Sequence, residues 1–304
     1  MNITVTTLPI IGNDGMDSLV TPWCHHFQLA HPEIQFACTM EGSSTSIMAL
    51  AANASWVAPI SRSPWQYELD AFVKVKGYAP TCIHVGYTGH GPRANAKSPP
   101  ALYVNQRNPL PGLTMPQVRA LYARGNLQGE ISLWSQLGLQ GEYQHRRIHL
   151  YGLCDDGKYA TAFRHLHLQN HPYPPHYEPL PDRQAVLEAV ANDPFGLGAV
   201  GWFNAVDYEK QARIVALAAD DSADFVLPDL EQVRQGKYPL SSYVSLYFDL
   251  PSGRKLDPLL KEWLAFTLSS EGQAIVSAQT HSAEGYVPLE ADQLDIQRQR
   301  LAQW

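Results

Sequence analysis

Apolar and polar positions along the opening part of the chain repeat one unit three times. Residues 2–11 alternate with strand period, and the turn Gly12-Asn13-Asp14-Gly15-Met16 leads into a helix-period stretch from Asp17 to His31, closed by Pro32. A second β-compatible run, Ile34 to Met40, passes through Glu41-Gly42-Ser43-Ser44-Thr45-Ser46 into the alanine-rich start of a helix, Ile47-Met48-Ala49-Leu50. The third, Trp56 to Ile60, ends at Ser61-Arg62-Ser63-Pro64, after which Trp65 to Lys76 reads as a helix. Repeated strand–turn–helix junctions with connections of helix length predict βαβ units on a parallel sheet. Ligands collect at the carboxyl ends of such strands, and Asn13, Ser43 to Thr45 and Ser61-Arg62 would all lie on that edge.

Thr81 to Tyr87 and Ala101 to Asn105 read as strands separated by a polar loop, Gly89 to Pro100, rich in glycine and proline. After Asn108-Pro109-Leu110 the pattern restarts. Thr114 caps a helix through Tyr122, Trp134 to Gly138 forms a turn, and Arg147 to Gly152 is a strand. Cys154-Asp155-Asp156-Gly157-Lys158 then opens a helix from Tyr159 to Leu168. His171 to Pro181 is an irregular, proline-stiffened connection, followed by a helix from Arg183 to Asn192 and strands at Gly198–Trp202 and Ile214–Ala218. Tyr243 to Phe248 is strongly β, and Pro258 to Leu268 is an amphipathic helix. The restart predicts a second α/β domain.

Hydroxyl residues at a helix start cap its first N–H groups, and the same groups, with the positive end of the helix dipole, also suit an anion. Ser43, Ser44 and Thr45 fit either reading. Composition narrows the classes: 304 residues with 45% hydrophobic and 17% charged content suffice for two ordinary globular domains. A net charge of −7 without a long Lys/Arg cluster argues against a nucleic-acid surface, while an anion site built of N–H groups remains compatible with it. Cys24, Cys38, Cys82 and Cys154 form no Cys-x-x-Cys pair, which leaves one disulfide open and supports neither a zinc knuckle nor a redox motif. No apolar run reaches the length of a membrane span, and Met1 to Thr6 enters strand-like residues directly, without a signal-like core. A cytoplasmic chain and an exported one that has lost its signal are both consistent with this.

Several segments together resemble the periplasmic phosphate-binding proteins of ABC transporters, from about Ile10 to Leu289. They are Ile10 to Met16, Gly42-Ser43-Ser44-Thr45, Ala58 to Arg62, Asn108-Pro109-Leu110, Leu113 to Gln117, Trp134 to Gly138, Tyr151-Gly152, Gly236 to Leu240 and Leu268 to Gln273, in that family's order and approximate spacing. The resemblance implies a type 2 periplasmic-binding-protein clamshell, each domain a mostly parallel sheet flanked by helices. The first lobe would be residues 1–105 plus 245–304, the second 106–244, with hinge strands near Tyr103 and Val244. It further implies a monomer without a cofactor, located in the periplasm, that closes on phosphate or a related oxyanion and delivers it to a membrane permease. Carried over, Asn13, Ser43, Ser44, Thr45, Ser61 and Arg62 form one half of the ligand site, and Asp156, Gly157 and Lys158 the other.

The second half departs from the family pattern. Leu153 stands where the family has an arginine, and Asp156-Gly157-Lys158 replaces a Ser-Gly-Thr turn, in a loop one residue shorter. Asn13 and Gly15 likewise replace hydroxyl residues. A buried dianion needs several strong donors, so these changes open the specificity to other oxyanions, or to a ligand-sensing or interaction role that has lost phosphate. Metal binding would draw on His165, His167, His171 and His176, but His165 and His167, two apart on a helix, face different ways. A hydrolase would need Cys154 or Ser44 beside a base. No nucleophile-elbow or phosphate-loop spacing supports that, and the reading is a binding protein, not an enzyme.

Overall fold

The computed structural model describes residues 5–93, 98–202 and 211–304. Asn2 to Thr4 of the first expected strand and Ala94 to Lys97 of the expected loop lie outside the described residues. The chain divides into two compact units, Met1–Thr88 with Ser242–Trp304, and Gly89–Ser241. In chain order the first unit opens with β1 (Thr6–Gly12), α1 (Asp17–Ala30), β2 (Ile34–Met40), α2 (Ser43–Ala51), β3 (Ala58–Ile60), α3 (Gln66–Lys76) and β4 (Thr81–Thr88). The second unit holds β5 (Pro100–Asn105), β6 (Leu113–Thr114), α4 (Met115–Tyr122), β7 (His149–Leu153), α5 (Tyr159–His167), β8 (Tyr177–Leu180), α6 (Arg183–Asn192), β9 (Gly196–Gly201), β10 (Ala212–Ile214), β11 (Leu217–Ala218) and α7 (Leu230–Arg234). The chain returns to the first unit with β12 (Ser242–Phe248), α8 (Pro258–Thr267), α9 (Ser270–Ala278), β13 (Val287–Pro288) and α10 (Ala291–Gln303).

The α/β expectation holds, although the sheets are mixed and not mostly parallel: parallel pairing is concentrated at the strands that feed the predicted turns, and the four-stranded sheet of the first unit is antiparallel throughout. β1 and β2 pair parallel from Thr6↔Ile34 to Gly12↔Met40, and a parallel bridge, Ile10↔Val57, brings the approach to β3 alongside. β4 and β12 carry the chain out of the first unit and back, so they run oppositely and pair antiparallel, with Thr88 against Ser242, between β13 and β3. Met16, Leu19, Val20, Trp23 and Phe27 follow helical spacing and bury against Val85, Val244, Leu246, Trp263 and Leu264. The indole of Trp23 donates to the Gly272 carbonyl at 3.0 Å, so its polar atom is satisfied in the core.

In the second unit β7 pairs parallel with both β8 and β9, while β5 pairs antiparallel with β9 and β10. The expected first lobe ran through residue 105, yet β5 belongs to this sheet and the first unit ends at Thr88. The stretch expected to be irregular, His171 to Pro181, contains β8. It is an edge strand, where Pro179 can do without an N–H. The expected strand Ile214 to Ala218 splits into β10 and β11, which pair in different sheets. Helix starts follow the sequence closely: Thr114, Asp182, Asp257 and Ser269 each accept a hydrogen bond from an N–H of the first helical turn.

Candidate functional site

Three junctions of the first unit meet at Asn13. Its backbone N–H donates to the Pro59 carbonyl at 3.0 Å, and its side-chain amide donates to Ser43 Oγ at 2.8 Å and to Asp14 Oδ1 at 3.0 Å. Its Oδ1 accepts from Ser61 Oγ at 3.0 Å. Asn13 is buried and its amide is fully engaged, so it positions the neighbouring serines. Gly42 adopts φ +143°, a conformation that side-chain-bearing residues avoid, and its N–H reaches the Gly12 carbonyl at 3.0 Å, stitching two turns together.

The hydroxyl cluster then divides by role. Thr45 folds back on its own turn, its Oγ1 donating to the Gly42 carbonyl at 2.8 Å. Ser43 Oγ accepts from Asn13, which leaves its own proton to donate elsewhere. Ser44 is exposed in the first turn of α2. The N–H groups of Ser43 and Ser44 have no acceptor among the described residues. Two N–H groups, two hydroxyls and the positive end of α2 therefore form a small patch suited to an oxyanion. Exposed carboxylates at Asp14 and Glu41 flank it.

Arg62, expected beside this cradle as a charged donor, is turned to Glu68. Its Nη1 and Nη2 donate to the two carboxylate oxygens at 2.8 and 2.6 Å, and its guanidinium lies 4.3 Å from the Trp65 ring centre. Glu68 is fully buried and also accepts from the Trp65 N–H at 2.7 Å, closing the first turn of α3. The pair is locally neutral. Ser61 also meets the Tyr286 hydroxyl; burial, with the Glu284 carboxylate nearby, raises that phenol above its ordinary range and keeps it neutral.

The second-unit turn is built differently. Gly157 has φ +92°, and its N–H donates to Thr161 Oγ1 at 2.8 Å. Thr161 in turn donates to Asp155, whose other oxygen accepts from Arg164 Nε at 2.8 Å. Asp156 is exposed, 3.5 Å from the still more exposed Lys158 ammonium. These bonds hold the turn before α5, while the helix itself begins at Tyr159 without a side-chain cap. Among the described residues no group of three or more His, Cys, Asp or Glu is arranged to hold a metal ion. No helix among them is long and apolar enough to cross a membrane.

Reading by sequence missed Glu68, Tyr286 and Thr161. Glu68 carried a signal, standing three residues after the cap position Trp65, as in a capping box. Thr161 lies one helical turn beyond Gly157, within reach of its N–H, whereas nothing local announces Tyr286.

A family model described as a PBP superfamily domain matches residues 3–271. The phosphate-binding protein PstS of Pseudomonas aeruginosa is 29% identical over 288 residues, covering 93% of this chain and 83% of that protein. PstS from Borrelia burgdorferi superposes with a TM-score of 0.64 at 16% identity, over 94% of this chain and 100% of that one. An ABC-type phosphate transport receptor from Vibrio cholerae gives 0.55 at 18% identity, over 93% and 100%. At such identities the structural likeness speaks to fold.

Proposed function

The chain belongs to the PBP superfamily, and from that premise we propose that it is a solute-binding protein that takes phosphate or a related oxyanion. The observation that carries the reading is the patch at the start of α2: unengaged N–H groups on Ser43 and Ser44 beside a Ser43 hydroxyl oriented by buried Asn13. The likeness to PstS over most of the chain supports phosphate as the first ligand to test. In this reading Ser43, Ser44 and Ser61 contact the ligand, Asn13 and Thr45 hold the turn, and Arg62 with Glu68 braces the start of α3. The protein binds without turnover, works in the periplasm and hands its ligand to the permease of an ABC importer. A ligand-sensing role with altered specificity is the second reading. It is favoured by Leu153 and by the internal engagement of the Gly157 N–H.

The test is a thermal-shift panel of phosphate, sulfate, phosphonates, sugar phosphates and carboxylates, followed by calorimetry on any hit. A ligand at one hundred times its Kd adds about 2.7 kcal/mol to folding stability and raises the melting temperature visibly. A rise with phosphate supports delivery of phosphate, and a rise confined to another oxyanion supports the second reading. A panel flat throughout overturns oxyanion binding.

A further inference from the structure

Two of the four cysteines are brought together by the first βαβ unit. α1 packs against β2, with the Phe27 ring centre 6.2 Å from that of Phe36. One helical turn back from Phe27 is Cys24. Two residues beyond Phe36, on the same side of β2, is Cys38, and helix and strand run oppositely in such a crossover. The two thiols are near enough for each to perturb the other. Cys24 is buried, 4% exposed, within the core that includes Trp23 and Trp263, whereas Cys38 is exposed. Both are unbridged thiols here, Cys82 is half-buried on β4, and Cys154 is exposed in the second unit.

We propose that Cys24 and Cys38 are a redox-active dithiol that closes to a disulfide, pinning α1 to the strand that feeds the Ser43 turn. The oxidant required is another disulfide, small-molecule or protein. Cys38 is the accessible partner: its thiolate attacks one sulfur of the oxidant, the oxidant's S–S bond breaks, and one thiolate leaves. Cys24 then gives up its proton and attacks Cys38 Sγ, expelling the second thiolate. Two protein thiols lose two electrons, and the oxidant is reduced to two thiols. The order of attack follows from access, and the neighbouring Cys24 thiol, able to donate to a Cys38 thiolate, reinforces it by holding the Cys38 thiol below its ordinary range. Such donation, together with burial, pushes Cys24 well above. The closed loop, of roughly 15 residues, is long enough for the link to raise stability.

Oxidised glutathione added to the folded, reduced protein tests this, followed by alkylation under denaturing conditions and peptide mass spectrometry. The expected product has lost two hydrogens, yields a peptide joining Cys24 to Cys38, and melts at a higher temperature than the reduced form. Cys24→Ser should stop at one glutathione on Cys38. Cys38→Ser, at an exposed position, should leave Cys24 unmodified and abolish the rise in melting temperature. Recovery of both cysteines alkylated, glutathione persisting on Cys38 in the parent protein, or a link to Cys82 or Cys154 would each overturn the assignment.

Discussion

The turns at Ser43–Thr45 and at Asp156–Lys158 have the same local plan, a positive-φ glycine between a strand and a helix, and are held in different ways. In the first, Gly42 turns the chain and the N–H groups of Ser43 and Ser44, at the start of α2, have no acceptor among the described residues. Asn13, thirty positions earlier in the chain, fixes Ser43 from outside the turn. In the second, Thr161 accepts from the Gly157 N–H and donates a hydrogen bond to Asp155, which pairs with Arg164. The first turn is thus held from another segment, through Asn13, and the second from its own next helical turn, through Thr161.

The comparison is most exposed at Arg62, the one guanidinium the sequence placed beside the first turn. Arg62→Ala leaves the Glu68 carboxylate buried without its cation, and the expected loss is about 3 kcal/mol of folding stability. A shift of the urea midpoint reads it. Phosphate affinity of the folded variant should change by less than about tenfold, since the charge-assisted bonds that Arg62 makes are already given to Glu68. A stable Arg62→Ala protein with affinity lowered more than that would mean that Arg62 leaves Glu68 to hold the ligand. The first turn would then be a charged site.

Ser43→Ala comes next. Removing a hydroxyl that donates to a charged acceptor should weaken phosphate binding by about 2 kcal/mol, roughly thirtyfold in calorimetry. The fold should survive, because Asn13 keeps its bonds to Asp14, Ser61 and Pro59. Unchanged affinity would reduce the first turn to an ordinary cap and erase its difference from the second.

Legibility followed the range over which each feature is decided. Strand–turn–helix order, the caps at Thr114 and Asp182 and the returning strand Tyr243 to Phe248 are set by neighbours within a turn or a pleat, and sequence period exposes them. The candidate cradle was legible as residue types. The division of labour within it was not: whether Thr45 faces a ligand or its own carbonyl, and whether Arg62 serves an anion or Glu68, depends on which side chains the tertiary fold brings alongside. The same holds for Cys24 and Cys38, fourteen positions apart and unremarkable in spacing until α1 lies on β2. The boundary near residue 105 failed because a strand's period does not say which sheet it joins, and β5 found its partners in β9 and β10.

The smallest expected effect is also the sharpest test of the contrast. The Lys158 side chain is 83% exposed and paired only loosely with Asp156, so in water and salt that pair contributes about 0.5 kcal/mol or less. Lys158→Ala should leave the melting temperature where it was and move phosphate affinity by no more than about twofold at physiological ionic strength. Ionic strength gives the control. If affinity instead falls about tenfold and the loss shrinks as salt is added, the ammonium acts on a bound anion through its charge. Support of the second turn by Thr161 would then no longer separate it from the first, and Lys158 would rejoin the ligand set that the sequence implied.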